Sequence, residues 1–292
     1  MSTLSVFSPA KINLFLAITG RREDGFHNLV SLAAPLAWGD SLTLTPADRI
    51  SLLCNDPNLA LDESNLVFRA AAAFKSATGW LGGAEIRLEK NIPIGAGLGG
   101  GSSNAVATLK ALNQLAGDIM DRNAMRKVAA TLGSDCGLFV ENSPVIMRGR
   151  GELTEKISEA EHVLLRGRRV LIFKPNFGVS TRWAYGQMAQ DPGHYLRSDE
   201  AEARLEQWRN SDQPFDESHL YNNLEPVVFA KYPALPALHC ILKERFDLCA
   251  MMSGSGSASF AYLRQETPVA QVEACILDAL GPSAWVMSTS LA

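Results

Sequence analysis

The sequence predicts an α+β protein with two domains, and three observations support this prediction. Strand and helix signals mix in both halves without the strict alternation that a doubly wound sheet requires. A polar and basic stretch at residues 159–169 separates the two halves. Of the 292 residues, 47% are hydrophobic and 20% are charged, which is enough apolar material for a sizeable core. We therefore predict one domain at residues 1–165 and a second at residues 166–292.

Strand signals dominate the beginning of the chain. Residues 4–19 are rich in β-branched and apolar side chains and predict a strand that is interrupted at Ser8-Pro9. Asp24-Gly25 and Gly39-Asp40 are turn signals. Alternating or β-rich segments predict the other strands of this half at residues 41–45, 50–53, 85–90 and 145–148.

Capping residues and apolar spacing predict three helices in the same half. Polar residues precede residues 66–77, whose apolar side chains recur at helical spacing, and Gly79 ends this helix. Residues 105–115 are rich in alanine and leucine and follow a glycine cluster. Asp121 is the N-cap of a further helix, which ends at Gly133.

The second half repeats the mixture of strands and helices. Helical patterns are predicted at residues 181–190, 199–209, 224–231, 235–245 and 269–280. Strands are predicted at residues 170–173, 249–252, 259–263 and 284–287. The polar stretch at residues 191–217 holds few apolar anchors and is predicted to be a surface insertion.

Composition and charge disfavour several classes of partner. The chain has 27 Lys and Arg residues against 31 Asp and Glu residues, and no basic run is dense enough for a nucleic-acid partner. No apolar run approaches the ~18 residues of a membrane span, so no membrane partner is expected. The five cysteines are odd in number and none form a Cys-x-x-Cys pair, which disfavours zinc and disulfides. We expect a cytoplasmic protein, and nothing in the sequence indicates its oligomeric state.

The most informative segment is a glycine-rich loop that leads into a helix. Five of the seven residues from 95 to 101 are glycine, and two serines follow. Glycine lets the backbone approach a ligand closely, and its N–H groups can converge on an anion together with those of the helix N-terminus. The alternative is a packed turn whose serines cap the helix. We predict a phosphate-binding loop made of Pro93, Ile94, Gly95, Ala96, Gly97, Leu98, Gly99, Gly100, Gly101, Ser102 and Ser103.

Two familiar phosphate loops do not fit this segment. A Walker A loop has a lysine directly before its serine or threonine, whereas the next lysine here is Lys110, deep in the predicted helix. Gly95, Gly97 and Gly100 have the spacing of a dinucleotide-binding loop. The preceding strand is amphipathic, however, and no acidic residue ends a second strand about 20 residues later. A dinucleotide oxidoreductase is therefore disfavoured.

Three other polar patterns each have two interpretations. Lys11 and Asn13 are two residues apart in a strand and face the same side, and on this alternation alone a solvated edge strand is the favoured explanation. Asp135 lies in a small-residue loop after a helix, where a capping role is the simpler explanation. Residues 253–257 would form a hairpin turn, although five small residues exceed what a tight turn needs.

Taken together, these segments resemble the GHMP kinases, which phosphorylate small molecules without a Walker A loop. The matching motifs are Pro-Ala-Lys-Ile-Asn-Leu at residues 9–14, the glycine loop at residues 93–103, and Met-Ser-Gly-Ser-Gly-Ser-Ala at residues 252–258. The resemblance implies an N-terminal domain similar to domain 2 of ribosomal protein S5 and a ferredoxin-like C-terminal domain. It also implies an ATP-dependent phosphotransferase with an alcohol as acceptor.

The resemblance assigns roles to individual residues. Lys11 and Asp135 match the catalytic pair, and the ATP phosphates would lie over the glycine loop. Mg²⁺ would bridge phosphate oxygens, with Ser103 or water completing its shell.

Within the family, two segments resemble a branch whose alcohol substrate carries a cytidine diphosphate group. They are Arg-Glu-Asp-Gly-Phe-His at residues 22–27 and Gly-Ser-Asp at residues 133–135. This branch phosphorylates a 2-hydroxyl in non-mevalonate isoprenoid precursor synthesis. Phe26 and His27 would hold the cytosine ring, with Asn13 beside the catalytic pair. Phe26 stands where the branch commonly has tyrosine.

Other interpretations remain open at this point. Another GHMP kinase would act on homoserine, mevalonate or a sugar. A nucleotide-binding module without catalysis would keep the glycine loop and lose Lys11 or Asp135, and both are present. Without the resemblance, Phe26 would be assigned to the core and His27 to a surface turn.

Overall fold

The computed structural model describes residues 3–211 and 213–292. Within them the strands are β1 (Leu4–Arg21), β2 (His27–Ala47), β3 (Ser51–Cys54), β4 (Gly83–Glu89), β5 (Val145–Arg148), β6 (Leu153–Lys156), β7 (Arg169–Lys174), β8 (Tyr221–Asn222), β9 (Ala250–Met252), β10 (Ser259–Tyr262) and β11 (Trp285–Ser290). The helices are α1 (Leu66–Thr78), α2 (Gly100–Leu115), α3 (Arg122–Leu132), α4 (Cys136–Glu141), α5 (Glu159–Leu165), α6 (Thr181–Met188), α7 (Ser198–Arg209), α8 (Glu225–Lys231), α9 (Ala234–Phe246) and α10 (Val269–Leu280). None of these helices combines the length and the apolar character needed to cross a membrane.

The larger sheet has seven strands and is built around β1 and β2. Its order is β3-β4-β2-β1-β8, and β5 pairs with β2 and with β6. β2 runs antiparallel to β4 and β5, whereas β3 is parallel to β4 and β8 is parallel to β1. β1 is therefore an inner strand, and its residues from Ser8 to Ile18 are mostly buried on both faces. The alternative of a solvated edge strand around Lys11 is wrong.

Two breaks predicted in these long strands are absent. β1 continues through Ser8-Pro9, and β2 continues through Gly39-Asp40. A side chain on Gly39 would lie 2.1 Å from the Ser8 carbonyl oxygen and 2.6 Å from Pro9 Cα. Gly39 is thus required by the close approach of two strands rather than by a turn.

The described residues form two compact units, and each is interleaved along the chain. Unit 1 contains the described residues up to Lys11 together with Trp38–Ile94 and Gly99–Asn142. Unit 2 contains Ile12–Ala37, Gly95–Leu98 and Ser143–Ala292. The domain boundary between residues 165 and 166 stays a prediction.

The smaller sheet lies in unit 2 and has the predicted ferredoxin-like topology. Its order is β11-β7-β10-β9, with antiparallel neighbours throughout. Numbered along the chain these strands run 4-1-3-2, with α9 before the second strand and α10 between the third and the fourth. Their shared core includes Phe173, Leu242 and Ile276, all fully buried.

Most predicted helices are present, with two informative differences. α2 begins at Gly100, five residues before its predicted start at 105, so the last glycines and both serines belong to the helix. Residues 191–217 are not a loosely attached insertion, because Trp208 and Phe215 are buried and pack edge to face with centroids 5.0 Å apart. Asp212, within that stretch, lies outside the described residues.

Candidate active site

The glycine loop changes backbone handedness at every second residue. Gly95, Gly97 and Gly99 have φ angles of 64°, 77° and 71°, in the left-handed region that disfavours side chains. Gly99 is the N-cap of α2 and supplies no side-chain hydrogen bond to the first turn. The orphan N–H groups of a 16-residue helix therefore open onto the loop, in the arrangement that binds anions.

Gly99 also gives room to the lysine predicted to be catalytic. A Cβ on Gly99 would lie 2.8 Å from Lys11 Cγ and 3.0 Å from Phe139 Cζ. Lys11 reaches past this glycine from β1, and its Nζ lies 3.5 Å from an Asp135 carboxylate oxygen. The Lys11 side chain is only 4% exposed, whereas that of Asp135 is 34% exposed. Unit 1 thus holds a buried cation beside a carboxylate that solvent, or a ligand, can reach.

Asp135 does not cap the helix that follows it, although its position would allow this. The residue occupies the N-cap position of α4, but its side chain makes no capping hydrogen bond. The capping interpretation is therefore wrong, and the carboxylate is directed to Lys11. By contrast, Asp121 caps α3 as predicted and accepts a hydrogen bond from Ala124 N.

The two serines of the loop differ in their surroundings. Ser103 is buried, and its hydroxyl accepts a 2.8 Å hydrogen bond from Ser8 Oγ on β1. Ser102 is half-buried and faces the loop before α4, since a Cβ on Gly133 would lie 3.2 Å from Ser102 Oγ. Ser102 is thus the more accessible hydroxyl.

In unit 2, the first part of the glycine loop packs against the second glycine segment, which comprises residues 253–257. Ser253 Oγ donates to the Gly97 carbonyl oxygen at 3.1 Å, and Ala258 N donates to the Ala96 carbonyl oxygen at 3.1 Å. A side chain on Gly97 would lie 2.1 Å from the Ser253 carbonyl oxygen. The second segment therefore supports the first, which explains why it is longer than a hairpin turn requires.

Asn13 lies in the part of β1 that belongs to unit 2, and hydrogen bonds hold its side chain in place. Its side chain is buried and donates to Ser31 Oγ at 2.9 Å, and Ser31 in turn donates to the Phe15 carbonyl oxygen. Its backbone N–H donates to Ser253 Oγ at 3.4 Å. A short polar chain thus holds the Asn13 amide in one orientation.

Without the family resemblance, the sequence assigns Phe26 to the core and His27 to a surface turn, and the structure shows the opposite for both. Phe26 is 53% exposed at the end of the Asp24-Gly25 turn, and the Arg150 guanidinium lies 4.8 Å from its ring centroid. His27 is buried at the start of β2, and its Nε2 lies 3.1 Å from Tyr195 Oη. An exposed ring thus stands next to a buried imidazole.

The surroundings of His27 favour its neutral imidazole. Burial, together with the charge of Arg21, lowers the pKa of His27 below its ordinary value. The Tyr185 ring packs edge to face on the imidazole, with centroids 5.1 Å apart. Since Nε2 pairs with Tyr195 Oη, the other ring nitrogen, Nδ1, is the one that can serve a polar base edge.

Sequence reasoning missed several residues that shape these sites. Tyr185 and Tyr195 lie in the stretch from α6 onward that was read only as helix and surface insertion. Ser8 directly precedes the motif at residues 9–14, and Ser253 lies within the motif at residues 252–258, and these positions were the available signal. Asp40 carried a turn signal and is in fact fully buried.

Three features together define a small-molecule kinase of the GHMP class. They are the ferredoxin-like sheet, the glycine loop that leads into the uncapped N-terminus of α2, and the lysine–aspartate pair. The family model for the GHMP kinases N terminal domain matches residues 65–145. Two solved structures share this fold. Homoserine kinase from Cytophaga hutchinsonii has a TM-score of 0.72 and 18% identity, over 100% of this chain and 95% of that one. Methanococcus jannaschii mevalonate kinase has a TM-score of 0.73 and 14% identity, over 100% of this chain and 99% of that one.

More similar proteins narrow the class to one family. The 4-diphosphocytidyl-2-C-methyl-D-erythritol kinase of Protochlamydia amoebophila is 37% identical over 269 residues, 92% of this chain and 87% of its own. That of Methylacidiphilum infernorum is 38% identical, with coverage of 97% and 95%. A crystal structure of 4-(cytidine 5'-diphospho)-2C-methyl-D-erythritol kinase has 32% identity and a TM-score of 0.77, over 99% of this chain and 100% of that one. The chain belongs to the family of the 4-diphosphocytidyl-2-C-methyl-D-erythritol kinases.

Proposed function

We propose that this chain transfers the γ-phosphoryl group of ATP to the 2-hydroxyl of 4-diphosphocytidyl-2-C-methyl-D-erythritol, in non-mevalonate isoprenoid precursor synthesis. The observation that carries the proposal is the ion pair between Lys11 and Asp135, adjacent to Gly99 at the start of α2. It stands in a chain that is 37% identical to a relative of that name over 92% of its length.

In the proposed reaction, residues 93–103 bind ATP. The N–H groups of the loop and of the first turn of α2 hold the β- and γ-phosphates, whose negative charge the helix dipole favours. Glycine is needed because the backbone, and not a side chain, makes these contacts. No Walker lysine is required.

Asp135 accepts the proton of the substrate hydroxyl. The hydroxyl oxygen attacks the γ-phosphorus, the bond between the γ-phosphorus and the β,γ-bridging oxygen breaks, and ADP leaves with that oxygen. Lys11, 3.5 Å from Asp135 and almost fully buried, balances the negative charge that develops on the transferred group. Retention of both residues favours an enzyme over a module that only binds nucleotides.

Mg²⁺ fits this site as an ion carried by the nucleotide. Within the described ranges, no group of three or more His, Cys, Asp and Glu side chains is arranged to hold a metal. The Ser103 hydroxyl is buried against Ser8, so we assign it no place in the Mg²⁺ shell. Mg²⁺ commonly keeps several waters and binds through substrate phosphates, and when bound it supplies charge neutralisation at the phosphoryl oxygens.

Unit 2 supplies the proposed recognition of the cytidine group. The exposed ring of Phe26 offers a flat surface on which the cytosine can stack. The Nε2 atom of His27 pairs with Tyr195 Oη, which leaves Nδ1 to serve the polar edge of the cytosine as a donor or as an acceptor, according to the tautomer. Asn13 is the third residue of the proposed substrate site.

A substrate panel tests the proposal. ADP release would be followed with 4-diphosphocytidyl-2-C-methyl-D-erythritol, homoserine, mevalonate and galactose, and ³¹P NMR would locate the phosphate on the product. We expect the highest kcat/KM for the cytidine compound, with a new phosphomonoester at its 2-hydroxyl. A higher kcat/KM for another alcohol would refute this substrate but not the kinase class. Absence of turnover with all four, despite nucleotide binding, would favour a binding module.

A further inference from the structure

A fully buried carboxylate lies outside the site described above. Asp40 stands in β2 within unit 1 and has an exposure of 0%. A charge in such a position is costly unless it is paired and hydrogen-bonded. The close packing at Gly39 does not explain why a charged residue is buried next to it, so the hydrogen-bond partners of Asp40 have to be considered.

Asp40 receives four hydrogen bonds from two separate segments. Its Oδ1 accepts from Asn91 N and from Ile92 N, both at 2.7 Å. Its Oδ2 accepts from Lys90 Nζ at 2.6 Å and from Asn104 Nδ2 at 2.8 Å. Burial lowers the pKa of Lys90, and the charge and the hydrogen bond of Asp40 act against that shift.

These donors lie on either side of the glycine loop. Lys90, Asn91 and Ile92 directly precede Pro93, the first residue of the loop, whereas Asn104 follows its last residue, Ser103. Asn104 Nδ2 also donates to Ser8 Oγ, which donates to Ser103 Oγ. A buried polar network within unit 1 thus joins the chain entering the loop to the first turns of α2.

We propose that Asp40 is a positioning residue for ATP, which clamps the two flanks of the phosphate loop. By fixing residues 90–92 relative to α2, it holds the N–H groups of residues 99–103 in place before the nucleotide arrives, so that little reorganisation is needed on binding. Asp40 touches neither substrate nor nucleotide and acts through the backbone. The inference rests on the proposed function for the identity of the ligand, but the clamp itself is a property of the free protein.

The test compares Asp40→Asn with a matched control. Asn keeps the size of the side chain, loses the charge opposite Lys90 and replaces one acceptor with a donor. Glu141→Gln removes a carboxylate of similar burial in the same unit, 1% exposed and paired with Arg122 and Arg126 of α3. Asn104→Ala removes a single arm of the network and serves if Asp40→Asn does not fold.

Two measurements are made on the full chain below the melting temperature of every variant. Hydrogen exchange of the Ser103 amide, which donates to the Gly99 carbonyl oxygen at 2.9 Å in the first turn of α2, reports the clamp without any ligand. Titration with a fluorescent ADP analogue reports nucleotide affinity. For Asp40→Asn we expect faster exchange and a dissociation constant raised about tenfold or more, with the KM for the alcohol substrate unchanged. Asn104→Ala should change both in the same direction, but less. Glu141→Gln should lower the melting temperature and leave both readouts unchanged.

Each alternative result has one meaning. Unchanged exchange at the Ser103 amide in folded Asp40→Asn, or in Asn104→Ala should the first not fold, overturns the clamp. Equal effects of Asp40→Asn and Glu141→Gln overturn it as well, because general destabilisation would then explain the data. Faster exchange in a chain whose wild type does not bind the nucleotide would refute the proposed function and leave the clamp in place.

Discussion

The backbone and the side chain of Asp135 have different roles. The backbone begins α4, while the carboxylate forgoes the cap of that helix and lies 3.5 Å from Lys11 Nζ. Forgoing a cap costs roughly 1 kcal/mol. An acid that gives up this stabilisation and remains partly exposed beside a buried cation has the placement expected of a group that meets a reacting hydroxyl.

Asp135→Asn is expected to impair catalysis and spare binding. The amide keeps the shape of the side chain but cannot take the hydroxyl proton, so kcat should fall by about 10²–10⁴ with little change in either KM. Steady-state kinetics on the folded variant measures this. A loss of tenfold or less would mean that Asp135 only orients the hydroxyl.

Lys11 and Asp135 are expected to act as a unit. Lys11→Ala should also lower kcat, and the double variant should lose less transition-state free energy than the sum of the two single losses. A double-mutant cycle on kcat/KM measures the coupling. Additive losses would contradict a functional contact across the 3.5 Å pair.

Phe26 is expected to matter for the alcohol substrate alone. Its ring is 53% exposed, so Phe26→Ala should leave stability nearly unchanged. It should weaken substrate binding by about 1–3 kcal/mol, the range found for stacking of bases on aromatic side chains. Phe26→Tyr should bind normally because the ring remains. Separate titrations with substrate and nucleotide test this, and an equal loss of ATP affinity would place the ring elsewhere in the mechanism.

At the scale of elements, the glycine loop and α2 form one device. Left-handed glycines at positions 95, 97 and 99 shape the loop, and the last of them is the N-cap of α2. Two of these positions also need glycine because of close packing. Gly97 makes room for the second glycine segment, and Gly99 makes room for Lys11. The conformation and the packing therefore demand glycine independently.

Gly99→Ala is expected to displace Lys11. Its Cβ would lie 2.8 Å from Lys11 Cγ, so the lysine must shift, and kcat should fall by about 10²-fold for a displacement near 1 Å. Gly79→Ala is the control, since Gly79 has a φ of 72° against 71° for Gly99 but open space around its Cβ. Both variants should lose stability through the strain of a positive φ, and Gly99→Ala should lose more because of its close contacts with Lys11 and Phe139, as thermal melts would show. Equal kinetics in the two would show that backbone strain alone matters.

For the molecule as a whole, buried ionisable groups set the response to pH. Glu225 begins α8 and accepts a 2.7 Å hydrogen bond from Met252 N, just before the second glycine segment. Burial raises the pKa of Glu225 to about 7. His239 is half-buried in the same unit beside Ser259, and desolvation lowers its pKa to about 4.

Glu225 is expected to make the free energy of unfolding fall as pH rises. Between its ordinary pKa of 4.5 and its folded pKa of about 7, the folded chain binds more protons than the unfolded chain. Stability should therefore fall through this window by at most about 1.4 kcal/mol per pH unit. His239 acts in the opposite sense, because its penalty grows as pH falls below 6.5 toward about 4.

Glu225→Gln isolates the first of these effects. Gln keeps the acceptor for Met252 N but does not titrate. Urea unfolding of the wild type and the variant from pH 5 to pH 8 should show the wild type losing stability relative to the variant as pH rises. A constant difference would mean that Glu225 ionises in the folded chain as easily as in the unfolded one.

Features that depend on neighbouring residues could be predicted from the sequence. A helical pattern predicted α10 at its observed bounds, and the glycine loop was recognisable because its conformation requires glycine at fixed positions. In both cases the relevant physics acts over a few residues. Lys11 and Asp135, which the structure pairs, were indicated by the family resemblance and not by local chemistry.

The burial of polar side chains, and the groups that they face, depend on the folded chain as a whole. Gly39-Asp40 has the local chemistry of a turn, yet strand pairing with β1 makes the glycine a point of close approach and the aspartate a buried acceptor. The same holds for His27, which is buried and contacts Tyr185 and Tyr195, more than 150 residues away along the chain. Local pattern fixes the backbone conformation, whereas the burial of a charge depends on distant segments that happen to cover it and to supply its hydrogen bonds.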